Sequence, residues 1–318
     1  PNVEVLSAVH NTIPVIFTNN SRNIICTAAD VIFEHSTSTG FLTSKFSLHQ
    51  RTVHPIIWTA RSCQEDVFVS LTKNGSLYWC NSNTRSVVKE AQLPLPKNVP
   101  SNESIDFITF FPYEDADSKE EKYFIVAKRT KQPALLLLHF DPSTDRLDYL
   151  ADLATQRGQF NHKTVKLSFI EQYQLVLLTY ENYFVTYSMK SHSKTIYSHK
   201  KRISSLANDS DALQVAFGDV NGAIFVFPYE CVASGINLRK GQKLHWHSSA
   251  VSCLLFSGGN QLISGGKEAV LVTWNLSTGA NNFIPRLSSC ISTLSLSSDK
   301  RMLAVGLSDN TICIFSTA

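Results

Sequence analysis

One frame returns along this chain and limits what it can fold into. Its fullest copy reads Ser264-Gly265-Gly266-Lys267-Glu268-Ala269-Val270-Leu271-Val272-Thr273-Trp274-Asn275. Related copies begin at Val305, Phe217 and Ser70, and a weaker one at Thr179. In each, a polar turn residue stands six positions before an aromatic residue or a cysteine: Asn74, Glu181, Asn221, Glu268 and Asp309. Neighbouring markers lie roughly 40–47 residues apart, except where a longer third repeat intervenes. Self-similarity at such a period means a repeat architecture, in which each unit buries its apolar face only against its neighbours.

Within one period the apolar runs are short, rich in β-branched and aromatic residues, and bounded by turn residues. Blade-like units of four strands follow, the arrangement of a WD-repeat propeller. Blade one runs from about Ile13 to Leu48 and blade two from about Val53 to Leu93. The connector Pro94–Pro100 then holds three prolines, which exclude a central strand. Blade three spans about Ile105 to Leu153, with an acidic loop from Glu114 to Glu121 in its first hairpin. Blades four and five cover about Val165 to Tyr197 and Ile203 to Leu244, the fifth with an excursion from Tyr229 to Lys240. Blade six carries the fullest frame. Blade seven starts at Ile291 and reaches Ala318 after three strands, which would leave an unpaired edge. Val3-Glu4-Val5-Leu6 is apolar enough to supply the fourth. The expected fold is all-β: one seven-bladed propeller over residues 1–318, closed by pairing of the N-terminal strand with the last blade.

Composition agrees and excludes some classes. Phe is plentiful and Met scarce, which suits sheets. A net charge of +3 does not by itself argue for nucleic acid. No apolar run approaches the roughly 20 residues of a membrane span. The start, Pro1-Asn2-Val3-Glu4, has no basic and apolar signal pattern, and its lack of Met suggests a fragment or processed chain. The seven cysteines form no C-x-x-C pair and read as small buried hydrophobes.

Blade six holds the residues that look most like chemistry. His247 precedes its first strand, Ser264 lies on the second, Glu268 in the next turn and Trp274 on the third. A histidine bridging a carboxylate and a serine, with an indole N–H as further donor, satisfies buried polar groups between sheets. The same three residue types compose a catalytic triad, but no Gly-x-Ser-x-Gly elbow or oxyanion loop accompanies them. We therefore expect a structural network, with no catalytic residue, cofactor or small-molecule substrate. His245 and His247 lack the further ligands a metal needs, so none is expected. Gly258-Gly259 and Gly265-Gly266 read as β-turns, without a phosphate-loop lysine or a following helix. His54, His139, His162 and His199 are scattered and read as surface or packing residues.

The blade register also sorts charge. Loops between blades, and those joining second to third strands, share one face. That face holds Arg51, Lys73, Lys128, Arg129, Lys131, Lys200, Lys201, Arg202, Lys267 and Arg286, together with the acids Glu181, Asp219, Glu268 and Asp309. The opposite face holds the acidic loop, Asp141, Asp145, Glu171, Asp209 and Asp211. Lysine and arginine without base-reading groups suit backbone phosphates, with salt-sensitive binding. The bland reading is a set of solvated turn residues. No aromatic pattern of an RNA-recognition sheet is present.

The Ser-Gly-Gly-x-Glu-x-Val-Leu-x-x-Trp frame, with Leu244-His245-Trp246-His247 before it and Phe283-Ile284-Pro285-Arg286-Leu287 after it, resembles one family of WD repeats. That family is the WD repeat-containing protein seventy-five group, called U-three-associated protein seventeen (Nan) in yeasts. The resemblance covers about fifty residues and implies that the chain is the first propeller of a longer protein. It further implies a nucleolar, non-enzymatic subunit of the UtpA (t-UTP) subcomplex of the small-subunit processome. The partners implied are other UtpA subunits and the 5′ external transcribed spacer of pre-ribosomal RNA, with no membrane. The competing expectation is a generic WD-repeat adaptor that binds peptides, such as a ubiquitin-ligase substrate receptor or a trafficking coat subunit.

Overall fold

The computed structural model describes residues 3–6, 13–18, 21–48, 54–96, 104–130, 134–154, 165–234, 241–258, 260–284 and 286–317. It is a seven-bladed all-β propeller made of seven four-stranded antiparallel sheets. In chain order, β1 (Val3–Leu6) stands apart from the blade that follows it. Blade one is β2 (Ile16–Phe17), β3 (Asn23–Ala28), β4 (Val31–Ser36) and β5 (Leu42–Ser47). Blade two is β6 (Ile56–Arg61), β7 (Val67–Thr72), β8 (Ser76–Asn81) and β9 (Ser86–Gln92). Blade three is β10 (Ile105–Glu114), β11 (Glu121–Arg129), β12 (Ala134–Asp141) and β13 (Arg146–Ala154).

Blade four is β14 (Lys166–Ile170), β15 (Leu175–Tyr180), β16 (Tyr183–Ser188) and β17 (Ser193–Ser198). Blade five is β18 (Ile203–Asp209), β19 (Gln214–Asp219), β20 (Ala223–Pro228) and β21 (Gln242–His245), with the one-turn helix α1 (Tyr229–Ala233) in its excursion. Blade six is β22 (Val251–Gly258), β23 (Gln261–Gly266), β24 (Leu271–Asn275) and β25 (Asn281–Ile284). Blade seven is β26 (Ile291–Leu296), β27 (Met302–Leu307) and β28 (Thr311–Ser316). Its fourth strand is β1, paired antiparallel to β28 from Val3 opposite Ile314 to Leu6 opposite Thr311, as the register of the repeat requires.

The chain divides into two compact units. Ala8–Phe160 holds blades one to three; Pro1–Ser7 with Asn161–Ala318 holds β1 and blades four to seven.

The core of each unit lies between successive sheets. In the first unit one cluster joins Val69, Leu77 and Trp79 of blade two to Tyr123, Ile125 and Leu136 of blade three. In the second, Ala216 and Ile224 of blade five pack with Leu262, Val272 and Trp274 of blade six. A middle strand is therefore covered on both faces and reads as a continuous apolar run: every residue of β15 is buried. An outer strand meets solvent, and β5, β9 and β17 are mostly exposed and polar.

This packing corrects one expectation. Gly265 and Gly266 do not make a turn; they end β23. A Cβ on Gly265 would lie 2.5 Å from Ile291 Cγ2 of blade seven and 2.7 Å from Cys253 Sγ. Gly218 holds the matching place in blade five, where a Cβ would lie 2.6 Å from Val251 Cβ of blade six. The glycine is the space into which the next blade's first strand fits.

Candidate functional site

In blade six the four polar residues form one buried chain. His247 Nδ1 pairs with Glu268 Oε1, and Ser264 Oγ lies 2.7 Å from His247 Nε2 and 2.8 Å from Trp274 Nε1. One assignment of protons satisfies all of them. The imidazole donates from Nδ1 to the carboxylate, Ser264 donates to Nε2, and the indole N–H donates to the serine oxygen. Burial holds His247 below the usual histidine range, against the opposing pull of Glu268. Ser264 is 0% exposed and His247 1%, so no substrate reaches the hydroxyl. Gly266 makes room for the acid, since a Cβ there would lie 2.1 Å from Glu268 Oε1.

Blade five repeats the device in different residues. His199 stands four positions before Ile203, as His247 stands before Val251. Its partner is Asp219, whose Oδ2 lies 3.2 Å from His199 Nε2. Asp219 Oδ1 also accepts the amides of Asn221 and Ala223 at 2.9 and 3.0 Å. The places of Ser264 and Trp274 are taken by Phe217 and Phe227, which stack at 5.7 Å between ring centroids. His199 is therefore buried against Phe217 and Phe225 as well as paired, and Asp219 is not a surface acid.

Both pairs alter the charge of the surface above them. The loops before β18, β22 and β26 share one end of their unit, because Ser204 Oγ donates to Val251 O at 2.7 Å and Ser252 Oγ to Ile291 O at 2.5 Å. The turns between second and third strands meet that same end: Val220 N donates to Arg202 O, and Lys267 N to Ala250 O, both at 3.0 Å. Lys200, Lys201, Arg202, Lys267 and Arg286 are all exposed there. Two of the four acids assigned to this face are withdrawn from it, Asp219 to His199 and Glu268 to His247. What projects is thus more basic than the sequence order suggests.

The remaining basic residues divide differently. In the other unit Lys73 is exposed in the β7–β8 turn, and its amide donates to Pro55 O at 3.0 Å. Lys128 and Arg129 are half-buried at the end of β11 and engaged within the fold. Arg51, Lys131, Pro285 and His162 lie outside the described residues. The acidic loop of blade three is an ordered hairpin tip: Asp115 pairs with Lys122 at 2.8 Å, and its Oδ1 accepts the amides of Asp117 and Ser118, each at 3.0 Å. The Lys122 bond, with those amides, holds the Asp115 carboxyl well below the usual range. Among the described residues no group of three or more His, Cys, Asp and Glu is arranged to hold a metal ion. Among them, too, no helix is long and apolar enough to cross a membrane.

One surface feature has no counterpart in the sequence pattern. Trp246, 37% exposed, stacks on Phe283, 58% exposed, at 5.1 Å between centroids. The first precedes β22 and the second lies on β25, so the pair forms only when blade six folds.

The family comparison meets the chain at this blade. Residues 239–310 match the family described as the first beta-propeller of WD repeat-containing protein 75. The U3 small nucleolar RNA-associated protein 17 of Schizosaccharomyces pombe is 39% identical over 74 residues, 23% of this chain and 9% of that protein. WD repeat-containing protein 75 of Homo sapiens is 44% identical over 73 residues, 22% of this chain and 9% of that protein. The NET1-associated nuclear protein 1 of Saccharomyces cerevisiae is 32% identical over 104 residues, 32% of this chain and 11% of that protein. Each match thus spans a small part of the relative's length. A solved structure titled "Structure of Dos1 propeller" superposes with a TM-score of 0.64 over 95% of this chain and 76% of that one, at 15% identity, a likeness of fold alone. The family that this chain's sequence matches is therefore that of WD repeat-containing protein 75, through blade six and the strands that flank it.

Proposed function

We propose that the chain is a non-catalytic scaffold in ribosome biogenesis, and that it forms one domain, the first propeller of a longer nucleolar protein. In this reading it binds other UtpA subunits of the small-subunit processome and the 5′ external transcribed spacer of pre-ribosomal RNA during early 18S rRNA processing. The observation that carries it is the family match over residues 239–310, together with a relative that is named as associated with U3 small nucleolar RNA. The basic end of blades five and six supports the RNA contact. Lys200, Lys201, Arg202, Lys267 and Arg286 offer cations to phosphates, while His199 and His247 hold two acids away from them.

The test is a triple charge reversal, Lys200→Glu, Lys201→Glu and Arg202→Glu, in the full-length protein. Crosslinking to pre-ribosomal RNA should fall, and the remaining binding should depend less steeply on salt. Unchanged crosslinking would defeat the RNA contact, and failure to co-purify UtpA subunits would defeat the assembly role. The exposed Trp246–Phe283 stack favours the second reading, a peptide-binding adaptor, since exposed aromatics are enriched where proteins dock. Recovery of ligase or coat subunits in the same purification would support that reading.

A further inference from the structure

Between blades two and three, within one unit, lies a cleft of about 380 Å³. Its inner wall is Trp79 and Tyr123, set edge to face at 5.8 Å, with the indole N–H donating to the phenol oxygen at 2.6 Å. Glu121, the first residue of β11, also lines it and is only 8% exposed. The Ser62 hydroxyl donates to Glu121 Oε2 at 2.5 Å. The Tyr123 hydroxyl and the Cys63 amide also favour the ionised carboxylate, yet among the described residues Oε1 is buried with no partner in hydrogen-bonding geometry. A buried carboxylate oxygen left in that state costs free energy unless a donor arrives.

The rim adds Glu114 and Glu120. Lys119 answers the first of these at 3.7 Å. The other cation is Lys89, an exposed side chain on β9, whose ammonium sits 5.1 Å from the centroid of the Trp79 ring. The cleft therefore repels phosphate, offers an acid with an open acceptor, and already draws a cation over an indole.

We propose that this cleft receives an arginine side chain of a protein partner, with Glu121 as its counter-ion and Trp79 as its stacking surface. A guanidinium is planar, donates from several N–H groups in a fixed fork, and lies flat on an aromatic ring; a tetrahedral ammonium donates as well, but without the fork or the flat face. Val67 and Val88 supply an apolar wall for the methylene stem. Lys89 occupies the ring in the free protein and is displaced on binding. Burial holds the Glu121 carboxyl above its usual range, and an arriving cation offsets that desolvation. The site is separate from the basic end of blades five and six and does not rest on the RNA reading.

The experiment uses the indole N–H signals of the 318-residue chain, with the Trp79 signal identified by its loss in Trp79→Phe. The probe is the tripeptide acetyl-Gly-Arg-Gly-amide, with the Leu and Lys analogues beside it. The Arg peptide should shift the Trp79 signal to saturation with millimolar affinity, the Lys peptide more weakly, and the Leu peptide not at all. Glu121→Gln keeps the side-chain volume and an acceptor for Ser62, and should weaken the Arg peptide by about tenfold. Lys89→Ala vacates the ring and should strengthen it. Unchanged signals from the other three tryptophans show that each variant is folded. No saturable shift, an equal shift by the Leu peptide, or full affinity in Glu121→Gln would overturn the proposal, as would displacement of the Trp79 signal by an RNA oligonucleotide instead.

Discussion

His199 in blade five meets Asp219 at 3.2 Å in the place where His247 meets Glu268 in blade six, although the two acids occupy different positions of the repeat. Asp219 ends β19, whereas Glu268 lies in the turn beyond β23. Asp219 also carries the turn, since its other oxygen accepts two main-chain amides. Asp219→Ala should therefore orphan three donors at once and destabilise the chain by about 3 kcal/mol, whereas Asp219→Asn, which keeps a carbonyl cap, should cost about 1 kcal/mol. Denaturant midpoints of the two variants check this, and equal losses would show that the aspartate does not act through those bonds.

How far the sequence foretold this differs between the two blades. The strands were legible because each apolar run is strand-length and ends in turn residues, and a buried middle strand such as Leu175–Tyr180 has little polar content to confuse the reading. Blade six was legible because His247, Ser264, Glu268 and Trp274 are all present. Blade five hid its pair because Asn221 occupies the marker place of Glu268, and Phe217 and Phe227 replace the serine and tryptophan. The one available signal was the equal spacing of His199 to Ile203 and of His247 to Val251. The Gly265-Gly266 pair reads as a turn in the sequence because glycine marks both turns and close sheet packing, and only the position of Ile291 distinguishes them. The Ser62–Glu121 bond joins residues 59 positions apart, which no local pattern reports.

Acid should weaken the fold through the buried histidines. Burial holds His247 below its ordinary 6.5, so the native state binds this proton less readily than the unfolded chain. Stability is then fully present above 6.5 and is lost as the pH falls from there towards the depressed native value. His35 and His139, lowered mainly by burial, act in the same direction. The midpoint of chemical unfolding should drop between about pH 7.5 and 5.5, and His247→Gln should make that drop shallower. An unchanged slope in the variant would remove His247 from the linkage.

Removing residues 1–7 should strip β28 of its outer partner and leave it paired to β27 alone, since Val3–Leu6 pairs with Thr311–Ile314. The exposed edge of blade seven then has unpaired amides and carbonyls and is open to other chains. The expected result is a Tm lowered by more than about 5 °C together with a greater tendency to self-associate. A truncated chain that melts like the parent would refute the role of β1 as the closing strand.

Gly265 and Ile291 should be energetically coupled. A methyl group on Gly265 meets Ile291 Cγ2 at 2.5 Å, and Ile291 is 1% exposed, so neither side chain has room to turn away. Gly265→Ala alone should cost about 2–3 kcal/mol through overpacking, and Ile291→Ala alone about 3 kcal/mol through the cavity it leaves. In the double variant the new methyl group enters the space vacated by Ile291. The combined loss should then fall short of the sum by more than about 1 kcal/mol. Cys253 Sγ, 2.7 Å from the same point, is the part of the strain that Ile291→Ala does not relieve. Strict additivity would mean that the glycine serves the backbone of β23 and not the seating of the next blade.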